Sequence, residues 1–146
     1  MRPDLSGPAL AQAAAGYGWQ VIWQSLLPDE IDRLRRYLTG QADEGSADVI
    51  LTTGGTGFAP RDVTPEATLA VIERQAPGLV EAIRSESLKK SPHGMLSRAT
   101  AGIRGRTLIV NLAGSPKGAV EQLAVIAPAL AHAVALLRED PQAENH

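Results

Sequence analysis

Between Leu51 and Thr68 the chain reads LTTGGTGFAPRDVTPEAT, and this stretch concentrates the residue types that handle phosphate. Thr53 closes a β-branched run, and Gly54, Gly55, Thr56 and Gly57 follow it. Arg61-Asp62 comes next, then Thr64-Pro65-Glu66 at the start of a predicted helix. Three glycines in four positions let a ligand approach the main chain closely. A strand that passes through such a loop into a helix N-terminus aims backbone N–H groups at an anion. Asp62, beside the loop, is the natural place for a magnesium ion that accompanies nucleotide phosphates. Its other reading is a local carboxylate that accepts backbone N–H groups or pairs with Arg61. The loop is neither G-x-G-x-x-G nor a lysine-bearing P-loop, so neither of those mechanisms carries over. The expected ligand is a nucleotide or another phosphorylated small molecule.

Other candidates are more equivocal. Asp29 follows Pro28 ahead of a helix, where capping and function are equally good readings. Glu66 suits the helix dipole and is also within reach of the same ligand. Asn111 ends an apolar strand, so its amide needs a partner if buried, either another backbone segment or a ligand. Ser97-Arg98 follows a loop and is suited to an anionic group, with a surface salt bridge nearly as good a reading. Ser6 is placed to cap a helix. His93, His132 and His146 have no ligand spacing with one another or with carboxylates, which excludes a zinc site. No nucleophile is paired with histidine, so covalent hydrolase chemistry is not expected.

The elements that must position these residues alternate between helix and strand. Ser6 and Pro8 open an alanine-rich helix to about Gly16. Residues 19 to 27 (WQVIWQSLL) predict a strand closed by Pro28-Asp29. A helix follows over about residues 30 to 41, with Ile31, Leu34, Arg35 and Leu38 at helical spacing. Residues 48 to 53 are the clearest strand, apolar on both faces as an interior parallel strand would be. Thr64 is expected to cap a helix running to about Arg74, with a break at Pro77-Gly78 and a further helix over residues 79 to 88. Residues 98 to 103 and 107 to 112 are strands around Arg104-Gly105. A long helix then runs from Gly114-Ser115-Pro116 to about Arg138, with Pro128 inside it. The pattern predicts an α/β three-layer sandwich with a mostly parallel central sheet flanked by helices. Ligands on such sheets bind beyond the C-terminal ends of the strands. Pro28-Asp29, the loop from Thr53 to Asp62 and the loop from Asn111 to Pro116 all fall at such ends, so one pocket is expected where they meet.

Composition narrows the classes. At 146 residues the chain reads as one domain over residues 1–138 with a polar tail over 139–146. A formal net charge of −2 with no basic face argues against nucleic acid. Aromatics are only 3%, which leaves the core to Ala, Val, Leu and Ile. Cysteine is absent, so no disulfide, thiolate metal site or cysteine nucleophile is available. No apolar stretch is expected to approach the roughly 20 residues that span a bilayer, and the N-terminus lacks a signal pattern. The default expectation is a soluble cytoplasmic protein.

The motifs also carry a resemblance. TTGGTG followed by PRDVTPEAT resembles the molybdenum-cofactor biosynthesis family, whose best-known members are molybdopterin adenylyltransferases. The match continues through Pro77-Gly78, Glu81-Ala82, Arg84, Met95-Leu96-Ser97-Arg98, Ala101-Gly102, Asn111-Leu112-Ala113-Gly114-Ser115-Pro116 and the long helix containing His132. Asp4-Leu5-Ser6-Gly7-Pro8 and Pro28-Asp29 also fit. The resemblance implies a molybdopterin-binding-like fold and adenylyl transfer from Mg-ATP to the terminal phosphate of molybdopterin, releasing pyrophosphate. It implies catalytic or magnesium-holding roles for Asp29 and Asp62, and substrate contacts from Thr53, Gly54, Gly55, Thr56, Gly57, Glu66, Ser97, Arg98, Asn111, Gly114, Ser115 and Pro116. It further implies a homotrimer and a downstream metal-insertion protein as partner. A non-catalytic molybdopterin-binding or scaffold paralogue is the alternative.

Two departures accompany it. Family members usually carry proline where Ala113 stands, so the Asn-Leu-Pro-Gly-type loop is expected to lose some rigidity. They also usually begin with a hydrophobic strand ahead of the Asp-x-Ser-Gly helix, whereas Met1-Arg2-Pro3 leads almost directly onto that helix. Either the polypeptide begins further upstream, the favoured expectation, or a shortened member has a compensating partner. In both cases neighbouring strands are expected to have exposed flanks, making residues 1–146 less stable and more prone to associate.

Overall fold

The computed structural model describes residues 6–143. The Asp4-Leu5 match, His146 and the last three tail residues lie outside them. Five α-helices and four strands follow in the order α1 (Ser6–Gly16), α2 (Ile31–Glu44), β1 (Val49–Thr53), α3 (Thr64–Val71), β2 (Arg74–Gln75), α4 (Pro77–Lys90), β3 (Ala101–Arg104), β4 (Thr107–Leu112) and α5 (Pro116–Leu137). A 3₁₀ turn over Pro92–Leu96 separates α4 from β3.

β4 is apolar apart from Thr107 and Asn111, and it forms the centre of the molecule. All six of its residues are buried. Leu108, Val110 and Leu112 face a core built with Leu10 of α1, Val80 and Ile83 of α4, and Leu123, Ile126 and Leu130 of α5. Ile109 faces the other way, into a core with Leu38 and Ala42 of α2, Ile50 of β1 and Val71 of α3. A continuous apolar run buried on both faces is what a strand between two helical layers requires. The three-layer sandwich is therefore the observed architecture.

The sheet order is β1-β4-β3-β2. β1 runs parallel to β4, with Val49 opposite Leu108 and Thr53 opposite Leu112. β3 is antiparallel to β4 and β2 is antiparallel to β3. The sheet is thus mixed, which corrects the expectation of a mostly parallel one. β3 and β4 are joined by a short turn in which Gly105 takes φ +59°, and so short a connection can only return antiparallel. β2 is two exposed residues with no apolar run to announce it.

Among the described residues β1 is an edge strand, not the interior strand that its two apolar faces predict. The predicted strand over residues 19–27 is corrected as well: this segment has no place in the sheet. A groove of about 660 Å³ is lined by residues 19–27, by β1 and by Leu10, Leu34, Leu38 and Leu130. Ladder bonds need strands about 4.8 Å apart, so with the groove alongside β1 the alternating side chains of residues 19–27 have faces but no backbone partner. Val21, Ile22 and Leu26 remain exposed. This is the flank that the resemblance expects to be open.

Helix termini differ in detail from expectation. Ser6 is the first described residue of α1, and its hydroxyl donates to the Gly114 carbonyl. Thr64 sits inside the first turn of α3, whose N-cap position is Val63. Pro77 begins α4 rather than breaking a helix, since proline has no N–H to lose in a first turn. α5 spans 22 residues and contains an 18-residue window of mean hydropathy 1.7, so among the described residues one helix is long and apolar enough to cross a membrane, contrary to the expectation from sequence. Its Leu123, Ile126 and Leu130 pack in the core of the sandwich, while only 17% of its apolar window is buried.

Candidate functional site

The parallel β1–β4 pair sets the site, because both strands end side by side at Thr53 and Leu112. The loop after each strand therefore leaves from the same end of the sheet. Gly54 N–H donates to the Leu112 carbonyl at 3.0 Å, carrying the ladder one step beyond β1. The two loops then meet backbone to backbone: a Cβ on Gly114 would stand 3.2 Å from the Gly54 Cα. A side chain at Gly114 would press on that backbone, whereas at Gly54 it is the φ of +85° that favours glycine.

Gly55 takes φ +70°, and a Cβ there would collide with the Thr64 hydroxyl and lie 3.7 Å from Asp29 Oδ1. Thr64 N–H in turn donates to the Gly55 carbonyl at 3.1 Å, holding the start of α3 against the loop. Gly57 is pressed against the other carboxylate, since a Cβ on it would lie 2.9 Å from Asp62 Oδ2. Asp62 Oδ2 also accepts the Ala59 N–H at 3.0 Å, and Asp62 N–H donates to the Ala59 carbonyl at 2.8 Å. Asp29 and Asp62 thus border the same glycine loop, at Gly55 and Gly57. Asp29 arrives from the entry to α2 and is exposed.

The structure brings Asp29, Gly54, Gly55, Gly57, Asp62 and Gly114 together, from three separated segments at one end of the sheet. Thr53 ends β1 and Thr56 lies in the loop that follows it, where its carbonyl accepts the Arg98 N–H at 2.8 Å. Ser115 and Pro116 follow Gly114, and the Ser115 hydroxyl caps α5 by accepting the Gly118 N–H at 3.1 Å.

Four residues expected at the ligand have protein partners. Asn111 is fully enclosed. Its Oδ1 accepts the Thr100 N–H at 3.0 Å, and its Nδ2 donates to the Thr52 and Thr68 hydroxyls at 2.9 and 3.0 Å. Both amide hydrogens are thus engaged by side-chain hydroxyls, and Oδ1 has a backbone partner in Thr100. Arg98 Nη1 donates to Glu66 Oε2 at 2.7 Å. That bond holds the Glu66 carboxyl below its ordinary range and raises the guanidinium's affinity for its proton. The salt-bridge alternative for Arg98 is thus present, and Glu66 is its partner. Ser97 Oγ accepts the Ala99 N–H at 3.3 Å, and its carbonyl accepts Arg84 Nε at 3.2 Å.

Sequence patterns gave no sign of Gln122. From α5, its Oε1 accepts the Ala113 N–H at 2.7 Å and steadies the loop that carries Gly114. Arg84 also went unassigned. It donates to the Ser97 and Ala99 carbonyls and so fixes the approach to β3. Nothing in the spacing of either residue marks it, because each acts on a carbonyl or N–H far along the chain.

Among the described residues no three His, Cys, Asp or Glu side chains cluster to hold a metal by themselves. Two carboxylates flanking a glycine loop are a different donor set. Magnesium takes one or two carboxylates and completes its octahedron with water and substrate phosphates. Asp29 and Asp62 fit that pattern, and the glycine backbone leaves room for the phosphates.

Residues 1–132 match the family described as a probable molybdopterin binding domain. The molybdenum cofactor synthesis protein cinnamon of Drosophila melanogaster is 46% identical over 139 residues, covering 94% of this chain and 23% of that protein. The chain thus spans under a quarter of that relative's length. A molybdopterin adenylyltransferase of Helicobacter pylori is 41% identical over 136 residues, covering 92% of this chain and 77% of that protein. The crystal structure of the molybdopterin biosynthesis enzyme MoaB from Thermus thermophilus superposes with a TM-score of 0.87 at 48% identity, covering 93% of this chain and 86% of the other.

Proposed function

The chain belongs to the molybdenum cofactor biosynthesis family, as a molybdopterin binding domain, and from that premise we propose that it transfers the adenylyl group of ATP to the terminal phosphate of molybdopterin. An oxygen of the pterin's phosphate attacks the α-phosphorus of ATP. The bond from that phosphorus to the bridging oxygen breaks, and pyrophosphate leaves with the electron pair. No protein nucleophile is required, so catalysis is positioning and charge neutralisation.

The observation that carries this reading is a glycine loop that meets Gly114 at Gly54 and is bordered by two carboxylates, Asp29 at Gly55 and Asp62 at Gly57. Backbone N–H groups of the glycine loop would bind phosphate oxygens. Asp29 and Asp62 would hold Mg²⁺, which when bound with ATP offsets the charge of the phosphates. The loop from Gly114 to Pro116 would contact nucleotide or pterin. The same reading carries a cytoplasmic homotrimer that hands its product to a metal-insertion protein, both expectations drawn from the resemblance.

Turnover tests it. Purified chain with Mg-ATP and molybdopterin should release pyrophosphate and yield a pterin heavier by one adenylyl group. Pterin bound with no pyrophosphate released would replace the enzyme with a binding module. Ala113, where the family's proline stiffens the loop, and the open flank of β1 are what favour that second reading.

A further inference from the structure

Arg98 lies on the segment between the 3₁₀ turn and β3, far in sequence from the loop it touches. Its Nε donates to the Gly57 carbonyl at 2.7 Å and its Nη2 to the Asp62 carbonyl at 2.5 Å. The other side of the guanidinium meets Glu66, with Nη1 on Oε2 at 2.7 Å and Nη2 on Oε1 at 3.2 Å. Its own backbone N–H donates to the Thr56 carbonyl at 2.8 Å. Four of its five N–H groups are therefore directed at the protein, and its charge is matched by a carboxylate.

These contacts tie together three pieces of the site. Gly57 precedes the turn, Asp62 ends it and Glu66 lies in the first turn of α3. The segment between Gly57 and Asp62 otherwise closes on itself through the Ala59–Asp62 bonds. Arg98 joins that closed turn to the body of the molecule from the β3 side. A planar guanidinium can span two carbonyls and a carboxylate at once, whereas a lysine ammonium is a point charge on a flexible stem.

We propose that Arg98 is a positioning residue: clamped by Glu66, it holds the Gly57 and Asp62 carbonyls and so fixes the glycine loop and the Asp62 carboxylate for the substrate phosphates without binding those phosphates. The kinetic part of this inference rests on the adenylyl-transfer reading. The structural part does not.

Hydrogen exchange and steady-state kinetics on Arg98→Lys, Glu66→Gln and the double variant decide it. The amides of Ala59, Asp62 and Thr64 are bonded inside the loop and report its closure. In Arg98→Lys they should exchange roughly tenfold faster or more, as loss of a local closure implies, while the amides of α5 stay at wild-type rates. Turnover should fall by about 10²-fold, the effect of a small misplacement at a reacting centre, with KM for ATP little changed. Glu66→Gln should move both readouts in the same direction by less, and the double variant should be no worse than Arg98→Lys. A direct phosphate ligand behaves otherwise: KM for ATP or molybdopterin rises, loop exchange is unchanged and Glu66→Gln tightens binding by freeing the guanidinium. That result, or wild-type exchange in both single variants, overturns the proposal. If Arg98→Lys loses protection throughout the molecule, Glu66→Gln decides by whether the loop amides alone are faster. If the wild-type chain shows no turnover, the adenylyl-transfer reading fails while exchange still judges the clamp.

Discussion

Gln122 Oε1 accepts the backbone N–H of Ala113 at 2.7 Å. The bond exists only because residue 113 is not proline, which has no N–H to give. Where the resembling family fixes this loop with a ring, this chain fixes it with a side chain from α5. The loop carries Gly114, whose carbonyl also accepts the Ser6 hydroxyl. α1 and α5 therefore both hold the strip of backbone that abuts Gly54.

Gln122→Ala should destabilise the fold by about 1 kcal/mol, the usual net value of one such bond. Ala113→Pro introduced into that variant should recover most of the loss, because the orphaned donor disappears. Urea denaturation of the two variants and the wild type checks both statements. Equal instability of the single and double variants would mean that Gln122 acts through some other contact.

Asn111 connects β4 to β1, to α3 and to the strand-entry residue Thr100. Asn111→Leu should cost roughly 3 kcal/mol, since it leaves a buried N–H and two hydroxyls short of their partner. The loss should appear in denaturation with no ligand present. A variant of wild-type stability but weakened pterin binding would instead make Asn111 a ligand contact.

How far the site was legible in the sequence depends on the kind of constraint. The glycine loop was legible because glycine spacing reports on the backbone itself, at Gly55 a positive φ and at Gly57 the nearness of Asp62. Asn111 was legible as an amide needing partners, but Thr52 and Thr68 are 59 and 43 residues away and nothing local names them. Arg98 shows the limit most clearly, because an arginine that grips carbonyls and one that grips phosphate are the same letter. Residues 19–27 fail for a related reason. Alternation encodes two faces, whereas a strand also requires a neighbour, which side-chain pattern cannot supply.

Asp62→Asn should abolish measurable turnover, a fall of at least about 10²-fold for losing charge at a phosphate site, and leave the thermal melt unchanged. The substituted amide keeps an oxygen for the Ala59 N–H, so the turn stays closed. Pyrophosphate release measured beside a melting curve separates the two effects. Unchanged turnover would remove Asp62 from the chemistry.

The Glu66–Arg98 pair gives a pH dependence with a definite sign. Its hydrogen bond to Arg98 lowers the Glu66 carboxyl in the folded chain, whereas an unfolded glutamate titrates near about 4.3. A depressed carboxyl stabilises the fold above the unfolded value and loses that contribution as pH falls through the folded one. The stability difference between wild type and Glu66→Gln should be constant from neutral pH down to about pH 5 and shrink below it. Denaturation midpoints at several pH values check this, and a difference that grows on acidification would reverse the assignment.

The open edge of β1 has consequences of its own. Val49, Leu51 and Thr53 present backbone groups on the side away from β4, beside a groove walled by Trp23, Leu34 and Leu38. Unpaired edges next to apolar surface invite pairing with another chain, and natural sheets guard them with charge. Here Val21, Ile22 and Leu26 stand exposed along the same groove. Residues 1–146 should therefore bind a hydrophobic dye and associate beyond the proposed trimer, in assemblies that grow with concentration. Ile22→Lys should reduce both effects without lowering the melting temperature, because Ile22 is already 45% exposed and gives up little burial. Light scattering across a concentration series reads the result. Undiminished growth in that variant would shift the cause to the exposed Phe58 and Met95 on the glycine loop and the 3₁₀ turn.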